Sequence, residues 1–376
     1  MNATRQSGRK EGGQWLRRLD YAIGIPALWI LAAFRRKRSL PSNVRRIAVI
    51  KADGMGDLVL LTALFKDLKV AYPKSVLSLW CGGSVQALAG ELAILDEVCP
   101  IDFLRPWRGW QSLRRWQPDI VLNTGQWSRS EALLAGLGGG KYTVGFDTPG
   151  QNHHALYDAV VLHRADRHEV ENFRDLLTPL DISALARPQM ILRHETPCSL
   201  VQRRPYFAFH LWPSGVSHVG LKQWPESSWA ALARYYSDKG YNIVVTGGPQ
   251  DHSENERWLQ SHQLAGQVVN AAGIPMSETI QLLRHATAVI SVNTGVMHLA
   301  AALEVPTVAL NGPTNPLRWG PIGKKTAQCS VAQPHGGYLN LGFEFPIDAF
   351  SRPGIETIEI EEIIECVEKL LTATET

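Results

Sequence analysis

The 376-residue chain has no run of about 18 apolar residues, the length a helix needs to cross a bilayer, which excludes an integral helical bundle. Cysteine is scarce and scattered. Cys81, Cys99, Cys198, Cys329 and Cys366 form none of the close pairs that zinc sites or redox motifs need. They read as small buried hydrophobes in a reducing cytoplasm, and no metal site is expected. Two phosphate-binding signatures are also missing. The loop Gly54-Met55-Gly56-Asp57 has Val59 where the dinucleotide fingerprint has its third glycine, and no Gly-Lys-Ser/Thr follows it. Neither NAD binding nor ATP hydrolysis is indicated.

What is present is the composition of an ordinary globular protein, 45% hydrophobic and 19% charged. The length exceeds that of one hydrophobic core and predicts two domains of roughly 150 residues each. The net charge of +3 conceals an asymmetry: residues 1–46 hold 11 Lys/Arg against 2 Asp/Glu, a balance of +9, which leaves the remainder at −6. A basic arm on a mildly acidic body points to an anionic surface, lipid or nucleic acid, as partner of the arm alone. The body carries no nucleic-acid footprint.

Inside the arm, residues 21–34 (YAIGIPALWILAAF) form an apolar run bracketed by Arg17-Arg18 and Arg35-Arg36-Lys37-Arg38. A helix over these residues covers only about 21 Å of a hydrocarbon core of about 30 Å, and Pro26 disturbs it further. Positive flanks on both sides favour keeping both ends cytoplasmic, and no small-residue cleavage site follows, so export is not expected. Two readings stay open: an interfacial helix whose Trp15, Trp29 and Phe34 enter the headgroup boundary while the arginines meet anionic lipid, or a helix packed on the body.

Beyond the arm, short apolar runs at 46–51, 76–80, 119–123 and 142–146 alternate with helical stretches such as 58–71 and 130–137, the pattern of a parallel sheet. Prolines at 188, 197 and 205 break the periodicity and predict a linker. A second alternation then begins. Strands are expected at 206–211, 242–246, 288–292 and 307–310, and helices at 227–238, 251–262, 276–285 and 295–303. A last helix, 356–371, has apolar residues at helical spacing on one face that should dock. The reading is an α/β protein of two Rossmann-like doubly wound domains facing across a cleft: arm 1–45, first domain 46–200, second domain 201–345, docking helix 346–376. Open α/β sheets bind ligands at the carboxyl ends of their strands.

Three constellations fall at such ends. Asp57 follows the first glycine loop at the start of a helix, where a carboxylate is either a cap or a general base. Lys222, in Lys222-Gln223-Trp224-Pro225, stands just outside a helix start, either solvated or poised for a diphosphate. Residues 293–302 (NTGVMHLAAA) open a helix with small residues, and backbone N–H groups at such a start form an anion site. His298 lies one turn in, as a ligand or as a satisfied histidine. The loop 311–316 (NGPTNP) either lines a ligand or turns a corner.

Taken in order, RRIAVIKADGMGDLVLLTALFKDLKVAYP, PDIVLNTGQWSRSEALLAGLGGGKYTVGF, KQWPESSWAALARYYSDKGYNIVVTGGPQD and SVNTGVMHLAAALEVPTVALNGPTNPLRWGP resemble the bacterial heptosyltransferases, glycosyltransferase family 9, over about residues 45–325. The resemblance implies the GT-B fold and metal-independent, inverting sugar transfer without a cofactor, from a nucleotide-diphosphate donor, ADP-linked, to a lipid-linked saccharide such as a lipopolysaccharide core. It implies Asp57 as base; Ser214, Gly215, Lys222, Asn293, Thr294, Gly295 and His298 on the donor; and Gly54, Gly56 and Arg129 on the acceptor side. With the arm at residues 15–38, it implies a cytoplasmic enzyme peripheral to the inner membrane and no nucleic-acid partner. Two positions depart from the family pattern. Asn293 stands where most members have Asp, and Gln151-Asn152-His153-His154 replaces an Arg-Glu pair that many members carry. The first departure motivates a rival reading, a nucleotide-sugar-binding module without catalysis; a transferase acting on a protein hydroxyl is a third.

Overall fold

The structure, a computed structural model, describes residues 22–102, 105–149, 151–200, 205–213, 222–312, 314–331 and 354–373. The chain divides into two compact units, Met1–Ala186 and Arg187–Thr376. In the first, strands β1 (Arg46–Lys51), β2 (Val76–Cys81), β3 (Glu97–Pro100), β4 (Ile120–Asn123), β5 (Tyr142–Asp147) and β6 (Ala159–Leu162) form one sheet in the order β3-β2-β1-β4-β5-β6. In the second, β7 (Tyr206–His210), β8 (Asn242–Val245), β9 (Val268–Asn270), β10 (Ala288–Val292), β11 (Thr307–Asn311) and β12 (Thr326–Ser330) repeat that order as β9-β8-β7-β10-β11-β12. Every pairing is parallel.

Helices form most of the crossovers that parallel pairing requires, and others precede or follow the sheets. They are α1 (22–33), α2 (Met55–Ala71), α3 (Gly83–Gly90), α4 (Pro106–Trp116), α5 (Arg129–Leu137) and α6 (Glu169–Asp175) in the first unit. In the second they are α7 (Glu226–Asp238), α8 (His252–Ser261), α9 (Met276–Arg284), α10 (Gly295–Ala302), α11 (Pro316–Trp319) and α12 (Ile360–Thr372). The doubly wound expectation holds, with one systematic omission. The four strands without a sequence signal, β3, β6, β9 and β12, are the four sheet edges. Central strands such as β4 (IVLN) and β10 (AVISV) are buried along their whole length and read as continuous apolar runs. Edge strands such as EVCP and AVVL are half-exposed; EVCP carries no such run, and AVVL is an apolar run of only four residues.

Helix α12 begins four residues later than expected, after a turn at Ile355–Thr357, and buries Ile363 and Val367 in the core of the second unit. Trp224 Nε1 donates to the Ile358 carbonyl at 3.0 Å, tying this helix to the loop before α7. The cysteines, distant in sequence, are less so in space: Cys329 on β12 and Cys366 on α12 bring their Sγ atoms to 3.6 Å as free thiols.

Helix α1 packs on the body through one face, as the second reading of the arm expects, and leaves the other face exposed; Trp15 lies outside the described residues. Leu28 is fully buried and Leu31 and Ala32 pack with it on a cluster containing Ile50, Trp80, Val121 and Leu156. Gly24 is required for this approach, because a Cβ there would stand 2.8 Å from Arg129 Cδ. The helix exit is pinned electrostatically. Arg35 Nη2 and Arg38 Nη2 reach the buried Asp158 Oδ2 at 3.1 and 2.8 Å, and Arg35 Nη1 donates to the Gly136 carbonyl at 2.9 Å. The outer face leaves Ile23, Trp29, Ile30 (62%) and Phe34 (86%) exposed. Beside it lies a groove of about 310 Å³ with an apolar floor of Leu31, Leu137 and Leu156 and a rim that includes Arg35, Arg36 and Arg38. Among the described residues, no helix is long and apolar enough to cross a membrane.

Candidate active site

In each sheet the first strand lies between the second and the fourth, so the crossovers after strands one and four leave in opposite directions and open a crevice at the carboxyl edge. In the first unit that point lies between β1 and β4, in the second between β7 and β10. The described sequence candidates lie near these two switch points.

At the first, the chain leaves β1 at Lys51 and turns at Gly54, whose φ of 88° is left-handed and favours glycine. Helix α2 starts at Met55, earlier than expected, so Gly56 and Asp57 lie within its first turn rather than in the loop. Asp57 makes no capping bond. Its Oδ2 instead meets Lys51 Nζ at 2.7 Å, and among the described residues nothing donates to Oδ1. The Asp57 side chain keeps 19% exposure while that of Lys51 keeps 3%. Burial, with Glu169 and Asp53 nearby, pushes the Asp57 carboxyl above its ordinary range against the pull of Lys51. Burial would lower the Lys51 ammonium, but Asp57, Glu131 and Asp53 together hold it above the usual lysine value.

A network behind this pair had no sequence signal as a site. Lys51 Nζ also donates to Gln126 Oε1 at 3.0 Å, and Gln126 Nε2 donates to Glu169 Oε1 at 2.7 Å. His163 Nε2 shares that oxygen at 2.8 Å. Glu131 Oε1 accepts from the Ala52 N–H. Burial drives the Glu131 carboxyl up to about 7 despite Lys51. Gly125 is needed to admit it, since a Cβ there would stand 1.9 Å from Glu131 Oε2. Ser128-x-x-Glu131 reads in sequence as a capping box, and Ser128 does cap α5, but the glutamate reaches the β1 loop instead. A lysine closing the apolar strand IAVIK was the one visible hint of the buried cation.

Arg129, expected on the acceptor side, is fully buried, and its Nη2 donates to Gln151 Oε1 at 2.9 Å. It packs beneath α1 and offers no accessible guanidinium. In the segment after β5, Gln151 is buried, and Nδ1 of the partly exposed His154 lies 2.9 Å from Asp147 Oδ1.

At the second switch point, Thr294 takes the N-cap position of α10 in extended backbone but makes no side-chain cap. Its hydroxyl lies 3.3 Å from Ser291 Oγ. The first-turn amides of Gly295, Val296 and Met297 are thus left for another acceptor. His298 is 6% exposed, one turn into the helix. Lys222 is half-buried, with no hydrogen bond or ion pair among the described residues, and burial pushes its ammonium below the ordinary lysine value. Ser214 and Gly215 lie outside the described residues. His210, at the carboxyl end of β7, was not anticipated: burial lowers its imidazole to about 4, and Nδ1 shares a 3.0 Å bond with Thr246 Oγ1. Asn293 faces the loops rather than the helix start. Its Nδ2 donates to Asn311 Oδ1 at 2.7 Å and to the Trp319 carbonyl at 2.9 Å. The following loop turns a corner, with Asn315 capping α11.

Two successive doubly wound units of this strand order define the GT-B class of fold. A family model described as glycosyltransferase family 9 (heptosyltransferase) matches residues 106–339, and the chain belongs to that family. Lipooligosaccharide heptosyltransferase 2 of Haemophilus influenzae is 30% identical over 149 residues, 39% of this chain and 42% of that protein. Lipopolysaccharide heptosyltransferase 1 of Salmonella typhimurium is 25% identical over 315 residues, 79% of this chain and 96% of that protein. The solved structure of E. coli ADP-heptose lps heptosyltransferase II shares the fold with a TM-score of 0.71 at 22% identity, over 88% of this chain and 100% of that one.

Proposed function

We propose that this chain transfers a heptose or similar sugar from an ADP-linked donor to a hydroxyl of a lipid-linked saccharide of the lipopolysaccharide core, with inversion at the anomeric carbon. The observation that carries the reading is the Asp57 carboxylate, 19% exposed and anchored through Oδ2 by Lys51, with no donor to Oδ1 among the described residues. In the reaction the acceptor O–H breaks and its proton passes to Asp57 while the oxygen bonds to the anomeric carbon from the face opposite the diphosphate. The bond from that carbon to the diphosphate oxygen breaks, and its electron pair leaves with the nucleoside diphosphate. Such proton transfer contributes ~100- to 10,000-fold. Lys222 and the first-turn amides of α10 offset the developing charge on the leaving group, with Thr294, Gly295 and His298 at the donor and Gly54 and Gly56 beside the acceptor.

Support comes from the names of the relatives, both heptosyltransferases of lipopolysaccharide or lipooligosaccharide. The hydrogen bonds of Asn293 account for its departure from the family pattern by packing, which weakens the motive for a non-catalytic module. The acceptor class fits the arm: an exposed apolar face on α1 next to Arg36 and Lys37 suits the cytoplasmic face of the inner membrane, with aliphatic and aromatic side chains in the headgroup boundary. The test is direct. Purified protein given ADP-heptose and extracted membrane saccharide should release ADP, and Asp57→Asn should lower kcat by two or more orders of magnitude while remaining folded. A normally active Asp57→Asn enzyme would refute the base assignment; tight ADP-heptose binding without turnover on any acceptor would favour the binding module.

A further inference from the structure

We propose that Lys51 is a positioning residue for the sugar-transfer reaction, aiming the Asp57 carboxylate and holding it ionised beside the acidic side chains of Asp53, Glu131 and Glu169; this rests on Asp57 being the base. The geometry is that of a strut. Lys51 ends β1, is 3% exposed at its side chain, and is therefore too deep to meet a substrate itself. One contact fixes Asp57 Oδ2 at 2.7 Å, and a second fixes Lys51 to Gln126 at 3.0 Å. Gln126 is 1% exposed and is held in turn by Glu169, which also accepts from His163 and, through Oε2, from Asn172 at 3.2 Å. The ammonium thus cannot swing without breaking buried bonds on β4's loop and α6.

The charge balance explains why a cation is needed there. The charged and titratable groups facing Asp57 are Asp53 from the same loop, Glu131 from α5, Glu169 from α6, and Lys51. Without Lys51, Asp57 would face the buried carboxyls of Glu131 and Glu169 and the exposed one of Asp53 with no cation between them, and like charges favour protonating one or more of them. A protonated Asp57 cannot accept the acceptor proton. With Lys51 present, Oδ2 is neutralised and Oδ1 keeps the lone pair for the transfer. Arginine at this position would keep the charge; methionine would keep the bulk and lose it.

The test reads ionisation and turnover separately. Carboxyl-carbon NMR of aspartate-labelled protein, with the Asp57 resonance identified by its loss in Asp57→Asn, should titrate about one to two pH units higher in Lys51→Met than in the parent, and close to the parent value in Lys51→Arg. The acidic limb of the kcat profile for ADP release should move by the same amount in Lys51→Met. Circular dichroism checks that both variants fold, and if Lys51→Met does not, Gln126→Leu, which removes the strut's second anchor, should raise the same limb by a smaller step. An unmoved Asp57 titration in folded Lys51→Met overturns the inference whatever the activity does. A shifted titration alongside a fully active Asp57→Asn enzyme instead overturns the base reading and leaves Lys51 as the cation that ionises Asp57.

Discussion

The Asn293 side-chain amide donates to Asn311 Oδ1 at 2.7 Å and so joins the end of β10 to the end of β11, the neighbouring strand of the second sheet. Asn311 is committed in the other direction, its Nδ2 donating to Ser330 Oγ at 3.2 Å on β12. The chain of amides therefore has a fixed sense. Asn293→Asp, the residue most family members carry, would point a carboxylate at Asn311 Oδ1 and at the Trp319 carbonyl with no proton for either. Two lost hydrogen bonds and two facing acceptors should cost about 2 to 4 kcal/mol, read as a lower Tm in thermal unfolding. An unchanged Tm would mean that the Asn311 amide reverses at no cost.

Lys222 predicts an opposite pairing of stability and binding. A half-buried ammonium without a partner among the described residues costs the unliganded protein, so Lys222→Met should leave Tm unchanged or raised. ADP affinity, measured by calorimetry, should fall about 10- to 100-fold through loss of a charge-assisted bond to the diphosphate. Equal affinity in the variant would remove Lys222 from the donor site.

Glu131 makes stability depend on pH in a definite direction. Its carboxyl titrates at about 7 in the folded chain, above its ordinary value, so between those values the native state holds a proton that the unfolded state has lost. Its favourable contribution is complete below the ordinary carboxylate range and is lost as pH rises through about 7. Glu131→Gln keeps an acceptor for the Ala52 N–H and should flatten the decline in Tm between about pH 5 and about pH 8. A parent and variant with parallel Tm curves would contradict the assignment.

The two faces of α1 should separate in mutagenesis. Phe34→Ser and Ile30→Ser alter exposed side chains and should shift Tm little, yet together weaken sedimentation with anionic vesicles by about 10-fold or more. Asp158→Asn acts on the inner side, leaving Arg35 and Arg38 without their shared carboxylate, and should lower Tm without abolishing vesicle binding. Vesicle binding unaffected by the outer-face substitutions would place the lipid contact elsewhere.

The central strands and the helices that follow them were legible in the sequence because burial on both sides of a parallel sheet writes itself as runs such as RIAVIK and AVISV. The same holds for Asp57, Lys222 and Asn293 to His298, which sit where a strand hands over to a helix, the place a doubly wound sheet reserves for ligands. Family membership followed from those motifs in order. Only the tertiary structure decided what each side chain meets there. It drew Lys51, Gln126, Glu131, Glu169 and His163 together from positions up to 118 residues apart in the chain, as it brought Cys329 to Cys366. It also turned Arg129 inward beneath the arm and gave Asn293 a structural task. Periodicity reports which side of an element is buried, a one-dimensional property of neighbours; ion pairing depends on three-dimensional proximity, which sequence spacing does not contain.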